Sequence, residues 1–268
     1  KAISQQDYIL AKNAWDVFEC KTMKDFHDKY LLLDVLLLAD CFENFLNLIF
    51  DTHLIDPVHY LSVPGLAWDL ALRYTGVSLE LVCDPDIFLT FEGGIRGGIS
   101  SVIEREATAN NEFVGYDPAK PKSYLQYLDA NNLYGYSFTK PLPVSDFKLL
   151  SREEIDNFVL ANTDDDGETG YIIVCDLEYP RKLHEEHNAY PLAPEPLLIE
   201  RGMMSPYCLN LITKNWSPSE KLSPNLQDKQ NYIVHYVNLK FYLDQGLVLK
   251  KIHRIISFRQ KAWLKPWV

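Results

Sequence analysis

The sequence predicts an α+β fold. Helical and strand-like stretches are interspersed without the regular β–α alternation that marks a parallel α/β sheet. The 268 residues, 47% hydrophobic and 24% charged, have the composition of a globular protein with an ordinary core. No internal repeat or low-complexity tract points to a solenoid or a disordered tail.

In chain order, residues 24–50 (KDFHDKYLLLDVLLLADCFENFLNLIF) read as a long helix. At about 100° per residue, Asp40, Glu43, Asn44, Asn47 and Asp51 share one wet face. Asp34 falls on the apolar side with Tyr30 one turn before it, and a carboxylate there is costly unless paired or bound to a metal. A helix from Val63 to Thr75 closes on Gly76 at C′. Residues 93–98, GGIRGG, read as a glycine-rich bulge or hairpin before a strand from Ile99 to Ile103. After a Pro- and Asn-rich turn, Ser123–Leu128 (SYLQYL) reads as an apolar strand ending at Asp129. Pro141 and Pro143 break the chain, and Ser151 with Glu154 forms a capping box for a helix over 151–161. The acidic tract 164–170 makes a turn before a strand from Tyr171 to Tyr179. A Pro-rich loop spans 190–196, a helix runs from about Tyr232 to Gln245, and a strand from Val248 to Phe258 ends the series.

The longest apolar runs, near Leu31–Ala39 and Leu247–Phe258, are broken by charges and too short to span a bilayer. The opening residues KAISQQDYILAKNAW carry no signal-peptide pattern. Five dispersed Cys with no CxxC favour reduced thiols. The expectation is an intracellular chain, nuclear or cytoplasmic, not secreted and without a membrane partner. With no initiating Met and an apolar last segment, KAWLKPWV, it reads as an internal piece of a longer protein. The net charge of -11 argues against simple coating of nucleic acid. Yet residues 151–200 hold thirteen acids against three bases, and residues 236–268 seven bases against Asp244 alone. Such a basic, aromatic-rich end suits a phosphate backbone as well as it suits a solvated face.

Asp129-Ala130-Asn131-Asn132-Leu133-Tyr134-Gly135 is the candidate chemical centre. A carboxylate at a strand end can hold Mg²⁺ alongside substrate phosphates, while Asp, Asn and Gly in this order also suit a plain Asx-turn. Asp-x-x-x-Leu-Tyr-x after an apolar strand resembles motif A of family B DNA polymerases, Asp-x-x-Ser-Leu-Tyr-Pro. Its Asn-Asn-Leu-Tyr-Gly form is similar to the protein-primed branch carried by large transposons, viruses and linear plasmids. Asn132 stands where that family has Ser, and Gly135 where it has Pro. The resemblance implies that Asp129 is a catalytic metal ligand and that Tyr134, with Leu133 and Ala130, contacts the incoming nucleotide.

Two further matches precede it in family order. Tyr30-Leu31-Leu32-Leu33-Asp34 resembles Tyr-x-x-x-Asp, the third exonuclease motif, which implies a metal-ligating Asp34 and a water-orienting Tyr30. Ile95-Arg96-Gly97-Gly98 resembles the Tyr-x-Gly-Gly motif that touches single-stranded template, which implies DNA contact by Arg96, Gly97 and Gly98, with Ile95 in place of the Tyr. The resemblance then implies three parts. Residues 1–92 would end a 3′–5′ exonuclease (RNase H-like) domain with its connector. Residues 93–150 would enter a polymerase palm. Residues 151–268 would be an inserted subdomain before the next polymerase motif. The partners implied are DNA template and primer, dNTPs and a terminal priming protein. The cofactor is Mg²⁺, at a two-metal site completed by residues outside this chain. Neither the Lys-x3-Asn-Ser-x-Tyr-Gly motif nor an Asp-Thr-Asp occurs, and an Asp-x-Glu would lie before residue 1. Each active site would therefore hold one corner here, and the isolated piece would be inactive. The alternatives are a non-catalytic remnant that binds DNA or a terminal protein, and a metal-dependent nuclease built around Asp34.

His184 and His187 at i,i+3 form a weak candidate metal pair, set against the flanking Pro180 and Pro191. Asp164–Asp166 resembles a calcium loop only superficially, since Ile173 stands where its Glu belongs, and reads as a solvated turn.

Overall fold

A computed structural model describes residues 3–104, 106–213 and 215–268. It is an α+β chain, and Cα packing divides it into two units, one ending at Val77 and taking in Trp267, the other running from Ser78 to Pro266.

The first unit is helical. Helix α1 (Gln5–Val17) starts at Ser4, whose hydroxyl accepts from the Asp7 amide at 3.1 Å. Helix α2 (Met23–His53) starts at a Thr22/Asp25 capping box and ends with Leu54 in the left-handed region. Helix α3 (Val63–Thr75) starts at Ser62 and stops at Gly76, φ 63°, a conformation that favours Gly. Cys20, Pro57, Leu66, Leu70 and Ala71 are buried here, but no residue of α1 or α2 is.

The second unit carries the sheet. Helix α4 (Pro85–Gly94) is capped by Asp84 and is followed by a long coil. Next come α5 (Leu133–Phe138), β1 (Leu142–Leu149), α6 (Arg152–Asp156) and β2 (Thr169–Glu178). Then follow β3 (Glu195–Ile199), α7 (Pro206–Leu211), β4 (Ser219–Ser223), β5 (Lys229–His235), α8 (Tyr236–Asp244) and β6 (Val248–Lys261). The main sheet is antiparallel in the order β1-β6-β2-β5, and β3 and β4 pair apart from it.

Both faces of this sheet are covered. On one, Ile173, Cys175, Leu177, Tyr232, Val234 and Ile255 pack against Ile155 of α6 and Tyr236 and Leu239 of α8. On the other, Phe91 of α4 meets Phe147 of β1 and Phe258 of β6 with ring centroids 5.7 Å away in each case. A Cβ on Gly93 or Gly94 would lie 2.9 or 3.0 Å from the Ile233 side chain, so these two glycines let α4 settle on β5. Burial on both faces explains why the adjacent β6 residues Ile255 and Ile256 are both apolar.

Several expectations needed correction. Ser123–Leu128 is not a strand but extended coil, joined to the fold by one bridge, Asn110–Ser123. A strand needs a neighbour to take its N–H and C=O groups, and among the described residues no strand pairs with it. Ile99–Ile103 is coil for the same reason. The helix expected from Tyr232 starts at Tyr236, because residues 229–235 alternate as β5 with Tyr232 and Val234 inward. Pro141 and Pro143 do not end regular structure. Pro143 sits in β1, an edge strand, where a missing N–H is tolerated. The capping box at Ser151 forms, but its helix closes at Asp156.

Candidate functional site

The chemistry-bearing segment begins where the coil ends. Asn132 takes a left-handed conformation, φ 45° and ψ 57°, which Asn tolerates better than most residues. Its Oδ1 accepts from the Gly135 amide at 3.0 Å and starts α5. Gly135 is the buried residue of that helix, and a Cβ on it would lie 2.8 Å from Asn132 Cγ. The two positions at which this chain departs from the polymerase pattern thus touch each other. The longer cap at 132 needs the bare Cα at 135.

Asp129 and Ala130 stand in exposed coil three and two residues before this cap, and Leu133 and Tyr134 project from the first turn into solvent. The turn reading and the catalytic reading of the segment both meet the same geometry: a short cap-and-helix corner with its side chains outward. No group of three or more His, Cys, Asp or Glu side chains among the described residues could hold a metal ion. Asp129 by itself offers one carboxylate, and a metal held there would need further ligands.

Tyr30 and Asp34 lie one turn apart on α2, both exposed. The cost attached to a buried Asp34 does not arise, because Leu31, Leu32, Leu33, Val35 and Leu36 around it are exposed as well. These two residues belong to the first packing unit and Asp129 to the second.

Arg96 is turned into its own fold. Its Nη1 donates to Ile233 O at 2.7 Å and Gly94 O at 3.1 Å, and the guanidinium lies 4.1 Å from the Tyr232 ring centroid. With Tyr242, His235 and Asn238 it lines a cavity of about 330 Å³. Burial pushes the Tyr232 phenol above its ordinary range and pulls His235 down to about 4. Gly97 and Gly98 are exposed and face open space. The GGIRGG tract thus splits in function: its first pair packs α4 on β5, and its second pair is free at the surface.

Comparison with known families, curated proteins and solved structures returned no match.

The remaining polar clusters are structural. Tyr179 Oη accepts from the Leu192 amide at 3.1 Å and shares a hydrogen bond with His187 Nδ1 at 2.8 Å, while His184 Nε2 lies 3.2 Å from Tyr179 O. The two histidines bracket a buried tyrosine. The acidic turn is clamped as well. Tyr236 Oη donates to Asp164 O and Asp165 O at 2.8 and 2.9 Å, Lys240 pairs with Asp165 at 2.6 Å, and Gln260 Nε2 reaches Gly167 O and Tyr236 Oη. The three aspartates are exposed, as the sequence reading of a solvated turn expects, and the clamp on their backbone is what that reading lacked. The one available signal was the pairing of an acidic tract with a basic last third. Lys229, fully buried, pairs with Glu195 at 2.9 Å and bonds Asn225, which ties β5 to β3. Burial lowers its pKa despite that pairing. All five cysteines are free, Cys20 and Cys175 buried and the other three exposed.

Proposed function

We propose that this chain is part of a protein-primed family B DNA polymerase, spanning the end of a proofreading exonuclease and the entry to the palm. The observation that carries the reading is Asp129-x-x-x-Leu133-Tyr134, preceded in family order by Tyr30/Asp34 and Arg96-Gly97-Gly98. The corner at Asn132 supports it: the cap keeps Asp129 and Tyr134 on either side of one turn with both side chains free for a substrate. In this reading Asp129 is one ligand of a metal centre whose other carboxylates lie outside the chain. Tyr134, Leu133 and Ala130 face the incoming dNTP. The reaction is nucleotidyl transfer to a DNA or protein-borne 3′ end. Arg96 would support the template path from behind, through the position of Gly97 and Gly98, since its Nη1 is held by Ile233 O and Gly94 O.

Primer extension by the full-length protein tests the assignment. Loss of one group that stabilises developing charge typically costs on the order of 10²–10³-fold in rate, and Asp129→Ala is expected to lose at least that. Extension at the parent rate would remove Asp129 from the active site. The 268-residue chain alone is expected to extend nothing.

A further inference from the structure

One cation of the second unit is folded inward with no acid to answer it. Every other arginine among the described residues is exposed, whereas Arg96 is half-buried. A guanidinium taken out of water is costly unless its donors are met. The Tyr232 ring covers one face, and two carbonyls take Nη1. Nε is buried without a hydrogen-bond partner, and Nη2 donates to no group among the described residues. The Nε–Nη2 edge, with two parallel N–H groups that match a carboxylate, is therefore left over.

Arg96 lines the cavity of about 330 Å³ where the end of α4, β5 and the start of α8 meet. No Asp or Glu lines it. Of the acids nearby, Glu195 is taken by Lys229 and Asn225, and Asp165 by Lys240. Two more polar side chains reach this cavity with open positions. The ring nitrogens of His235 and the amide of Asn238 make no hydrogen bond among the described residues. Burial keeps His235 uncharged at neutral pH. His235 and Asn238 are also the N-cap and third residue of α8, whose first turn has no side-chain cap, so free backbone amides adjoin the same space. The rest of the wall is apolar, with Phe91, Ile172 and Pro194 beside the rings of Tyr232 and Tyr242.

One cation balances one negative charge. Apolar walls suit a ligand with a hydrocarbon or aromatic body and disfavour a strongly hydrated dianion such as phosphate. The volume lies at the low end of small-molecule sites, which run from roughly 300 to 1,000 Å³. We propose that this cavity binds a small organic monocarboxylate, its carboxylate held by the open edge of Arg96 with His235 and Asn238, and its apolar body against Phe91 and Tyr232. The site rests on no part of the polymerase reading.

Isothermal titration of the 268-residue chain with sodium benzoate at pH 7 tests it. The parent chain binds with a Kd of about 1 mM or tighter, within reach of a ligand of about ten heavy atoms. At ten times that concentration its melting temperature rises by about 2–5 °C. Benzamide, which has the same shape without the charge, binds at least about tenfold more weakly. Arg96→Lys keeps the positive charge, loses the fork and weakens benzoate binding at least about tenfold. Asn238→Ala, at an exposed position, weakens it about threefold and keeps the test open if Arg96→Lys does not fold. Arg259→Gln, an exposed arginine outside the cavity, leaves binding unchanged. The proposal is overturned if the parent chain does not bind benzoate, or if benzamide binds as tightly. It is also overturned if either cavity variant, folded by circular dichroism, binds like the parent. Displacement of benzoate by inorganic phosphate at equal concentration overturns it too and assigns the cavity to phosphate. Primer extension has no part in this readout, so a failure here leaves the assignment of Asp129 standing.

Discussion

A methyl group at residue 135 would lie 2.8 Å from Asn132 Cγ, well inside van der Waals contact, so Gly135→Ala must displace the cap that starts α5. A cost of about 1–3 kcal/mol is expected from overpacking of this kind. Faster amide exchange across Leu133–Phe138 would report it, and Asn132→Ser in the same chain should restore most of the protection. Equal exchange in Gly135→Ala and the parent would dissolve the pairing. That the segment makes a turn was legible, because Asp, Asn and Gly all favour one. That Asn132 makes its demand on residue 135 was not, because the contact is side chain to bare Cα and leaves no periodic trace. The clamp on the acidic turn is a second residue-scale case. Tyr236→Phe strips one hydroxyl from Asp164 O, Asp165 O and Gln260 at once, inside a core where Tyr236 is fully buried. Unsatisfied buried partners typically cost about 1–3 kcal/mol, which urea unfolding of the variant should show.

Among the elements, β5 and α8 meet at His235, and the junction sets a pH dependence. Burial lowers the His235 pKa to about 4, whereas an unfolded histidine titrates near 6.5. Above about 6.5 both states are neutral and the fold loses nothing. As pH falls from there toward 4, the unfolded chain takes up a proton that the folded chain refuses, and stability declines by up to about 3 kcal/mol. Below 4 this contribution levels off. His235→Phe should flatten the stability profile between those limits in urea titrations, and an unchanged profile would place the titration elsewhere. Glu154, held down to about 2 by Lys148 and by the Ser151 cap, acts in a lower window. Its contribution is complete above an ordinary glutamate pKa and is lost as pH falls toward 2. Helices with a cap and a stop were legible at this scale: α2, α3 and the start of α6 each carry their signals locally. Strands were legible where both faces are buried, as in β2 and β6. They failed where an aromatic run lacks a partner, as in residues 123–128, or where a proline hides an edge strand, as in β1.

For the whole molecule, the two packing units differ in what holds them. The unit from Ser78 onward has a sheet covered on both faces, while α1 and α2 bury no residue. Elements with few buried apolar contacts open at low free energy. Limited proteolysis should therefore cut within α1 and α2 first and leave a resistant product beginning near Ser78. Early cleavage within β2 or β6 would reverse that order. The motif trio that suggests a polymerase runs across both units, one motif in the first and two in the second. Sequence order made this legible without any packing. What order could not convey is that Arg96 faces inward, or that it shares one cavity with His235 and Asn238, far from it in the chain. Long-range convergence of side chains leaves no local pattern to read.

The place of β6 in the sheet also bears on how the protein is made. It lies between β1 and β2, yet it is the last of the three to be synthesised. Translation at ~5–20 residues per second leaves β1 without its neighbour for on the order of ten seconds. Through that interval β1 and the inner edge of β2 present unpaired backbone to the cell, a template for wrong partners. A chaperone that shelters strand edges during synthesis would raise the yield of folded chain more than one acting after release.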